Sequence, residues 1–272
     1  MSTVRSLKER LDDAGYILNG YIQMSGAFSA ELYSRQGWDS VTIDLEHGPF
    51  GIDGAIEILR AITASGVFPM VRIPSLDSMV IGTLLDAGVL GVTCAMINTA
   101  EDAERLVRYC RYPPRGERGM GRMTRAVLVH GSGYIAAADR LINVFAMIES
   151  VEGVANVDAI AAVEGIDGIY VGPTDLAMSM MGRAPQIGVP DPKIDAEVDM
   201  AVERVLQRCQ ARGLIAGIMA PTPEAALRMI DRGFRFITLA SDIRALTVQT
   251  KTWVEGCRRL VGNRNRPAGK SQ

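Results

Sequence analysis

Short runs of β-branched and apolar residues alternate with longer stretches of helical periodicity along nearly the whole chain, and this alternation limits the possible folds more than any other property. Strands are predicted over Tyr16–Gln23, Ser40–Asp44, Val67–Ile73, Gly91–Met96, Asn143–Glu149, Gly168–Val171, Ile215–Met219 and Phe234–Leu239. Between them, Ile52–Ala64 carries Ile52, Ala55, Ile56, Leu59 and Ile62 on one helical stripe. A helix over Ser75–Ala87 would be closed by Gly88, and Thr99 would cap Ala100–Tyr109 with Glu101 and Asp102 in its first turn. Further helices are expected over Ile194–Gln210 and over Pro223–Asp231, closed by Gly233. Eight strands, most followed by helical sequence, predict an α/β fold of the (β/α)8 or TIM-barrel type, one domain over 1–261 with a helix before the barrel and another after it. A doubly wound sheet needs fewer strands, and its dinucleotide-binding form needs a Gly-rich first turn. Here that turn, Met24-Ser-Gly-Ala-Phe-Ser, has the single Gly26. Residues 262–272 read as a disordered tail.

Composition removes several classes of function. The 272 residues are 48% hydrophobic and 22% charged, enough for a full core. The net charge of −2 gives no general attraction to nucleic acid or to an anionic membrane. The N-terminus lacks the apolar run of a signal peptide, and no segment reaches the roughly 20 apolar residues of a membrane span. Cys94, Cys110, Cys209 and Cys257 are widely spaced without a CxxC pair, so they read as reduced thiols. A cytoplasmic protein with neither nucleic-acid nor membrane partners is expected.

Barrel active sites form at the C-terminal ends of the strands, so the polar residues there carry the functional reading. The run Val41-Thr-Ile-Asp-Leu-Glu-His-Gly-Pro ends the second strand with Asp44, Glu46 and His47. It is either a solvated turn or one wall of a polar site. Arg72 ends the third strand, suited either to a substrate oxygen or to a structural ion pair. Glu149 ends the fifth strand and Asp175 follows the sixth; two hard carboxylates suit Mg²⁺ or Mn²⁺, or each closes the rim by pairing with an arginine. His47 can exchange a proton near neutral pH, and Asp86 would orient it if the fold brings the two together. His130 is expected at the surface. The turn Gly172-Pro-Thr-Asp starts a helix whose backbone N–H groups can receive a carboxylate. The segment Arg111–Arg122, with Arg115, Arg118 and Arg122 among glycines, is either an anion cradle or a subunit-contact loop.

Taken together, DLEHGP at 44–49, VRIP at 71–74, the acid at Asp86, RYPPRGERGMG at 111–121, IES at 148–150 and GPTDL at 172–176 resemble the metal-dependent class II pyruvate aldolases, the family of 4-hydroxy-2-oxoheptanedioate aldolase and 2-dehydro-3-deoxyglucarate aldolase. The resemblance runs from about Leu18 to Leu246. It implies a divalent cation (Mg²⁺, Mn²⁺ or Co²⁺) on Glu149 and Asp175, with Arg72 on the keto and enolate oxygen. It also implies His47, oriented by Asp86, as acid–base group, backbone groups of the Gly172-Pro173-Thr174 turn on the pyruvyl carboxylate, and Asp44 and Glu46 behind the site. Small-molecule ligands, a 2-oxo acid and an aldehyde, follow, as does a homo-hexamer built as a trimer of dimers that exchange the helix over 242–261. Two positions depart from the family pattern: Met147 stands where Gln is usual, and Ala95 where Pro is usual. The expected reaction is cleavage of a 4-hydroxy-2-oxo acid to pyruvate and an aldehyde. Its rivals are decarboxylation of an oxaloacetate-like acid and a metal-binding barrel that has lost catalysis. Lys8, Lys193, Lys251 and Lys270 are poorly placed for a Schiff base, which counts against a class I aldolase.

Overall fold

A computed structural model describes residues 5–182 and 192–264. Eight parallel strands close into a barrel in chain order: β1 (Ile17–Ile22), β2 (Ser40–Asp44), β3 (Phe68–Ile73), β4 (Gly91–Cys94), β5 (Asn143–Ile148), β6 (Gly168–Val171), β7 (Ile215–Met219) and β8 (Phe236–Ser241), the last pairing with β1. The (β/α)8 expectation holds. Every residue of β2 through β6 is buried, as strands covered by helices outside and by one another's side chains inside must be.

The boundaries moved for local reasons. The helix expected from Ser75 starts at Ser78, because the Asp77 carboxylate caps it by accepting from the N–H groups of Met79 and Val80. Gly88 closes that helix in the left-handed region, as expected. The last strand starts two residues late: Phe234 N–H still bonds back to Met229 O, within the C-cap of the helix Pro223–Arg232. Thr99 caps Ala100–Cys110 in a reciprocal box with Asp102. The helix before the barrel is Leu7–Ala14, and the one after it, Asp242–Arg264, runs into the expected tail, whose residues 265–272 lie outside the described ones. No helix among the described residues is long and apolar enough to cross a membrane.

The barrel interior has an aromatic layer and a polar one. Phe236 sits 5.3 Å from Phe145 and 6.3 Å from Tyr170 between ring centroids. Room for the rings comes from Gly168, where a Cβ would strike the Phe145 ring and stand 2.6 Å from Ile215 O. The polar layer centres on Asn19, fully buried, whose amide donates to Thr238 Oγ1 (3.0 Å) and accepts from Ser40 Oγ (2.8 Å) and Thr42 Oγ1 (3.0 Å). The network ties β1, β2 and β8 together at one level of the barrel. Gly168→Ala should cost about 1–3 kcal/mol of stability through overpacking, read as a lower denaturant midpoint. An unchanged midpoint would mean that the ring layer is loosely packed.

Candidate active site

Parallel register sets the first wall of the site, because β2 and β3 pair Asp44 directly with Arg72. Asp44 is fully buried and its carboxylate is saturated. Oδ1 accepts from Arg72 Nε (2.8 Å) and the backbone N–H groups of Glu46 (3.2 Å) and His47 (3.4 Å), while Oδ2 accepts from Arg72 Nη2 (2.6 Å) and Gln23 Nε2 (2.8 Å). Arg72 Nη1 lies 2.9 Å from Glu46 Oε2, and the guanidinium covers the Tyr21 ring at 4.8 Å. Burial works against the Arg72 charge, but Tyr21, Asp44 and Glu46 hold its pKa above the ordinary value. Burial likewise opposes ionisation of Asp44, and the Arg72 and Gln23 hydrogen bonds keep it below the ordinary carboxylate range. Both are charged at neutral pH.

Glu149 lies just beyond β5, two strands round the barrel from Arg72, and is 2% exposed. Its Oε1 accepts from the N–H of Met96, a non-glycine residue with a positive φ, 55°. Its Oε2 is buried and has no hydrogen-bond partner. Burial pushes this carboxyl up to about 7, opposed by the Met96 bond and by Arg72 and reinforced by the charges of Glu46 and Asp175. Gly172 keeps space beside it, since a Cβ there would stand 2.6 Å from Glu149 Oε2 and 2.9 Å from Met147 Cε. Pro173, with its fixed φ, opens the helix Pro173–Met181 and sets Asp175 in the first turn. His47, Arg72, Gly172, Pro173, Thr174 and Asp175 line one cavity of about 460 Å³ at the C-terminal mouth of the barrel.

Residues 20–247 match the HpcH/HpaI aldolase/citrate lyase family. The chain belongs to that family. It is 37% identical over 243 residues to the hydroxypyruvate/pyruvate aldolase of Rhizorhabdus wittichii, covering 89% of this chain and 94% of the relative. It is also 37% identical over 221 residues to the 5-keto-4-deoxy-D-glucarate aldolase of Escherichia coli, covering 81% and 84%. A solved HpcH/HpaI aldolase/citrate lyase family protein from Burkholderia cenocepacia superposes with a TM-score of 0.83 at 32% identity, over 93% of this chain and 98% of that one. General aldolase or lyase chemistry of this family therefore belongs to the chain, and with it the family's association with divalent metals.

The donor set fits such a metal. Among the described residues no group of three or more His, Cys, Asp or Glu is placed to hold a metal ion by itself. One buried carboxylate oxygen without a partner, beside a second carboxylate that acts on it electrostatically, suits a hard cation that keeps waters and open positions. The two positions singled out in the sequence as departures each have a local setting. Met147 packs its methyl against the Gly172 position and puts an apolar group at the cavity wall. Ala95 N–H donates to Ile73 O at 3.0 Å, a bond that proline would lack.

Several expectations need correction. Asp86 is not joined to His47 within the chain by any hydrogen bond or ion pair among the described residues. It sits near the C-terminal end of Ser78–Ala87, a helix that runs back from the barrel mouth, and pairs with Arg118 Nη2 at 2.6 Å. The N–H of Gly172 is already donated to Ile148 O (3.1 Å), and Pro173 has none, which leaves the Thr174 and Asp175 N–H groups as the first-turn donors. His130 is half-buried: Nε2 lies 2.9 Å from Gly88 O, the ring meets Tyr134 at a tilt, and burial lowers its pKa. In the arginine loop, Arg115 meets Glu164 (3.1 Å) and Asp139 (3.5 Å), and Arg118 meets Asp86, so these two charges are paired within the chain. His47 is half exposed, with Nε2 4.0 Å from Glu46 Oε2.

Two outcomes test this electrostatic arrangement. Arg72→Ala should destabilise by about 3–5 kcal/mol because it strands the buried Asp44 carboxylate, whereas Arg72→Lys should retain most stability; equal midpoints for wild type and Arg72→Ala would refute the coupling. Glu149 holds its proton up to about pH 7 in the folded protein, against 4.5 ordinarily. The stability it contributes is thus full below about pH 4.5 and lost as the pH rises through 7. With chelator present, Glu149→Gln should therefore be more stable than wild type at pH 8 and lose that advantage by pH 5. A pH-independent difference would show that Glu149 does not titrate in this range.

Proposed function

We propose that this chain is a divalent-metal-dependent aldolase that reversibly cleaves 4-hydroxy-2-oxo acids to pyruvate and an aldehyde. The observation that carries the reading is a permanently charged Arg72 on the cavity wall together with a buried Glu149 oxygen that lies against the cavity-lining Gly172 and has no partner among the described residues. Pyruvate is also the compound that the Rhizorhabdus relative's name contains.

Glu149 and Asp175 would hold Mg²⁺, Mn²⁺ or Co²⁺, which supplies Lewis-acid polarisation to the oxygens of the oxo acid when bound. The first-turn N–H groups of Thr174 and Asp175 receive the carboxylate of the oxo acid. His47, on the cavity wall, takes the proton of the 4-hydroxyl. As the C3–C4 bond breaks, that hydroxyl becomes the aldehyde carbonyl and the electron pair passes to the oxo-acid fragment as an enolate. Arg72, held rigid by Asp44 and Glu46, stabilises the negative charge that develops on the keto oxygen. Protonation at C3 then yields pyruvate. No lysine among the described residues lines the cavity.

The test is pyruvate release from a panel of 4-hydroxy-2-oxo acids with chelator and with each metal, including oxaloacetate to separate cleavage from decarboxylation. Activity should depend on added metal, and Arg72→Lys should lower kcat by about 10²- to 10³-fold with a smaller change in KM. Full activity after rigorous metal removal, or turnover of oxaloacetate alone, would sink the proposal. Calorimetric titration of Glu149→Ala and Asp175→Ala should show weakened metal binding; unchanged affinity would reject these ligands. The protein is further proposed to be cytoplasmic and to assemble as a trimer of dimers through exchange of Asp242–Arg264. That helix leaves Leu246, Val248, Trp253 and Leu260 exposed in the single chain. Sedimentation at six times the 29.3 kDa chain mass is expected, and a monomer would exclude the exchange.

A further inference from the structure

Residues Asn19, Tyr21 and Gln23 alternate along β1 and past its end, and all three face the barrel interior: Asn19 in the buried polar layer, Tyr21 beneath Arg72, and Gln23 at the cavity wall. Gln23 is fixed from two directions. Its backbone N–H donates to Asp242 Oδ1 at 2.9 Å, and the next N–H, of Met24, donates to Asp242 Oδ2 at 3.0 Å. Its side-chain amide nitrogen donates to Asp44 Oδ2 at 2.8 Å. Because Asp44 is ionised and can only accept, the nitrogen end of the amide must face it. The amide oxygen is therefore the free end. It has no donor among the described residues, and Gln23 is only part-buried, so this acceptor is open at the cavity.

The closed strand order says which part of a substrate meets it. In the ring β1 to β8, β1 lies four strands from β5, directly across the mouth from Glu149. The oxo-acid half occupies the β5 and β6 side, with Arg72 on β3, in the aldolase reading on which this inference rests. The space left for the aldehyde half lies toward β1 and β7. There the wall is Met219 and Pro221, which give contact area but cannot tell one short chain from another of similar size. Among the described residues on that side, the Gln23 amide oxygen is an open polar atom. An amide oxygen accepts from a hydroxyl and gives nothing to an alkyl group.

We infer that Gln23 is a specificity-determining residue whose amide oxygen accepts a hydrogen bond from a hydroxyl of the aldehyde partner, so that the enzyme selects 2-hydroxyaldehydes over alkanals of the same length. Glycolaldehyde and acetaldehyde, with pyruvate as donor and metal added, form the matched pair of probes. Wild-type protein should favour glycolaldehyde in kcat/KM, and Gln23→Met, which keeps length and removes the amide, should reduce the glycolaldehyde-to-acetaldehyde ratio by about 5- to 10-fold. Gln23→Ala should move the ratio in the same direction. The ratio reports selection even where the loss of the Asp44 contact lowers overall activity. Solvent exchange of the pyruvate C3 protons, followed by NMR without aldehyde, separates the two readings. A wild-type protein that exchanges none overturns the aldolase reading and this inference with it. Exchange with no wild-type preference, or with the same ratio in both variants, overturns the Gln23 role alone.

Discussion

The ion pair between Arg72 and Asp44 is the contact from which the rest of the site is built. Two charges removed from water are costly unless their remaining hydrogen-bonding capacity is met. Here the parallel register puts the partners side by side, and five donors converge on the one carboxylate. Two of those donors are backbone N–H groups of the following turn, so the same carboxylate that fixes the guanidinium also fixes the loop bearing Glu46 and His47. Asp44 never needs to meet a substrate to govern how one is held.

Burial alone pushes both Asp44 and Glu149 upward, yet they end on opposite sides of the ordinary carboxylate value. The difference is the company each keeps. Asp44 has a guanidinium fork and an amide, whereas Glu149 has one backbone N–H, a free oxygen and two neighbouring acids. Separating two carboxylates in this way gives one a structural charge and leaves the other available to a proton or a cation. Gly172 is part of that arrangement because any side chain there would fill the space beside the free oxygen.

The barrel, its strand ends and the HpcH/HpaI membership were legible in the sequence because each rests on local patterning. β2, β6 and β7 fall at the expected residues, and the motifs around 44–49, 71–74 and 172–176 sit at strand ends as a barrel requires. Within the strand expected over Tyr16–Gln23, the signal for Tyr21 and Gln23 is the alternation Asn19, Tyr21, Gln23 along an otherwise apolar run. The pairing of Arg115 and Arg118 is not legible in the sequence, because a run of arginines and glycines does not show its acids. Asp86, Asp139 and Glu164 come from three other parts of the chain.

What the sequence determined by itself, then, is the order of strands and helices and the residue types presented at each strand end, since periodicity and capping act over a few residues. Tertiary structure decided the partnerships. Only barrel closure sets Gln23 across from Glu149, and only the β2–β3 register commits Arg72 to Asp44. Closure also carries Asp86 away from His47, on a helix that turns back from the mouth. Pairing energies depend on distance and burial, and neither can be read from separation along the chain.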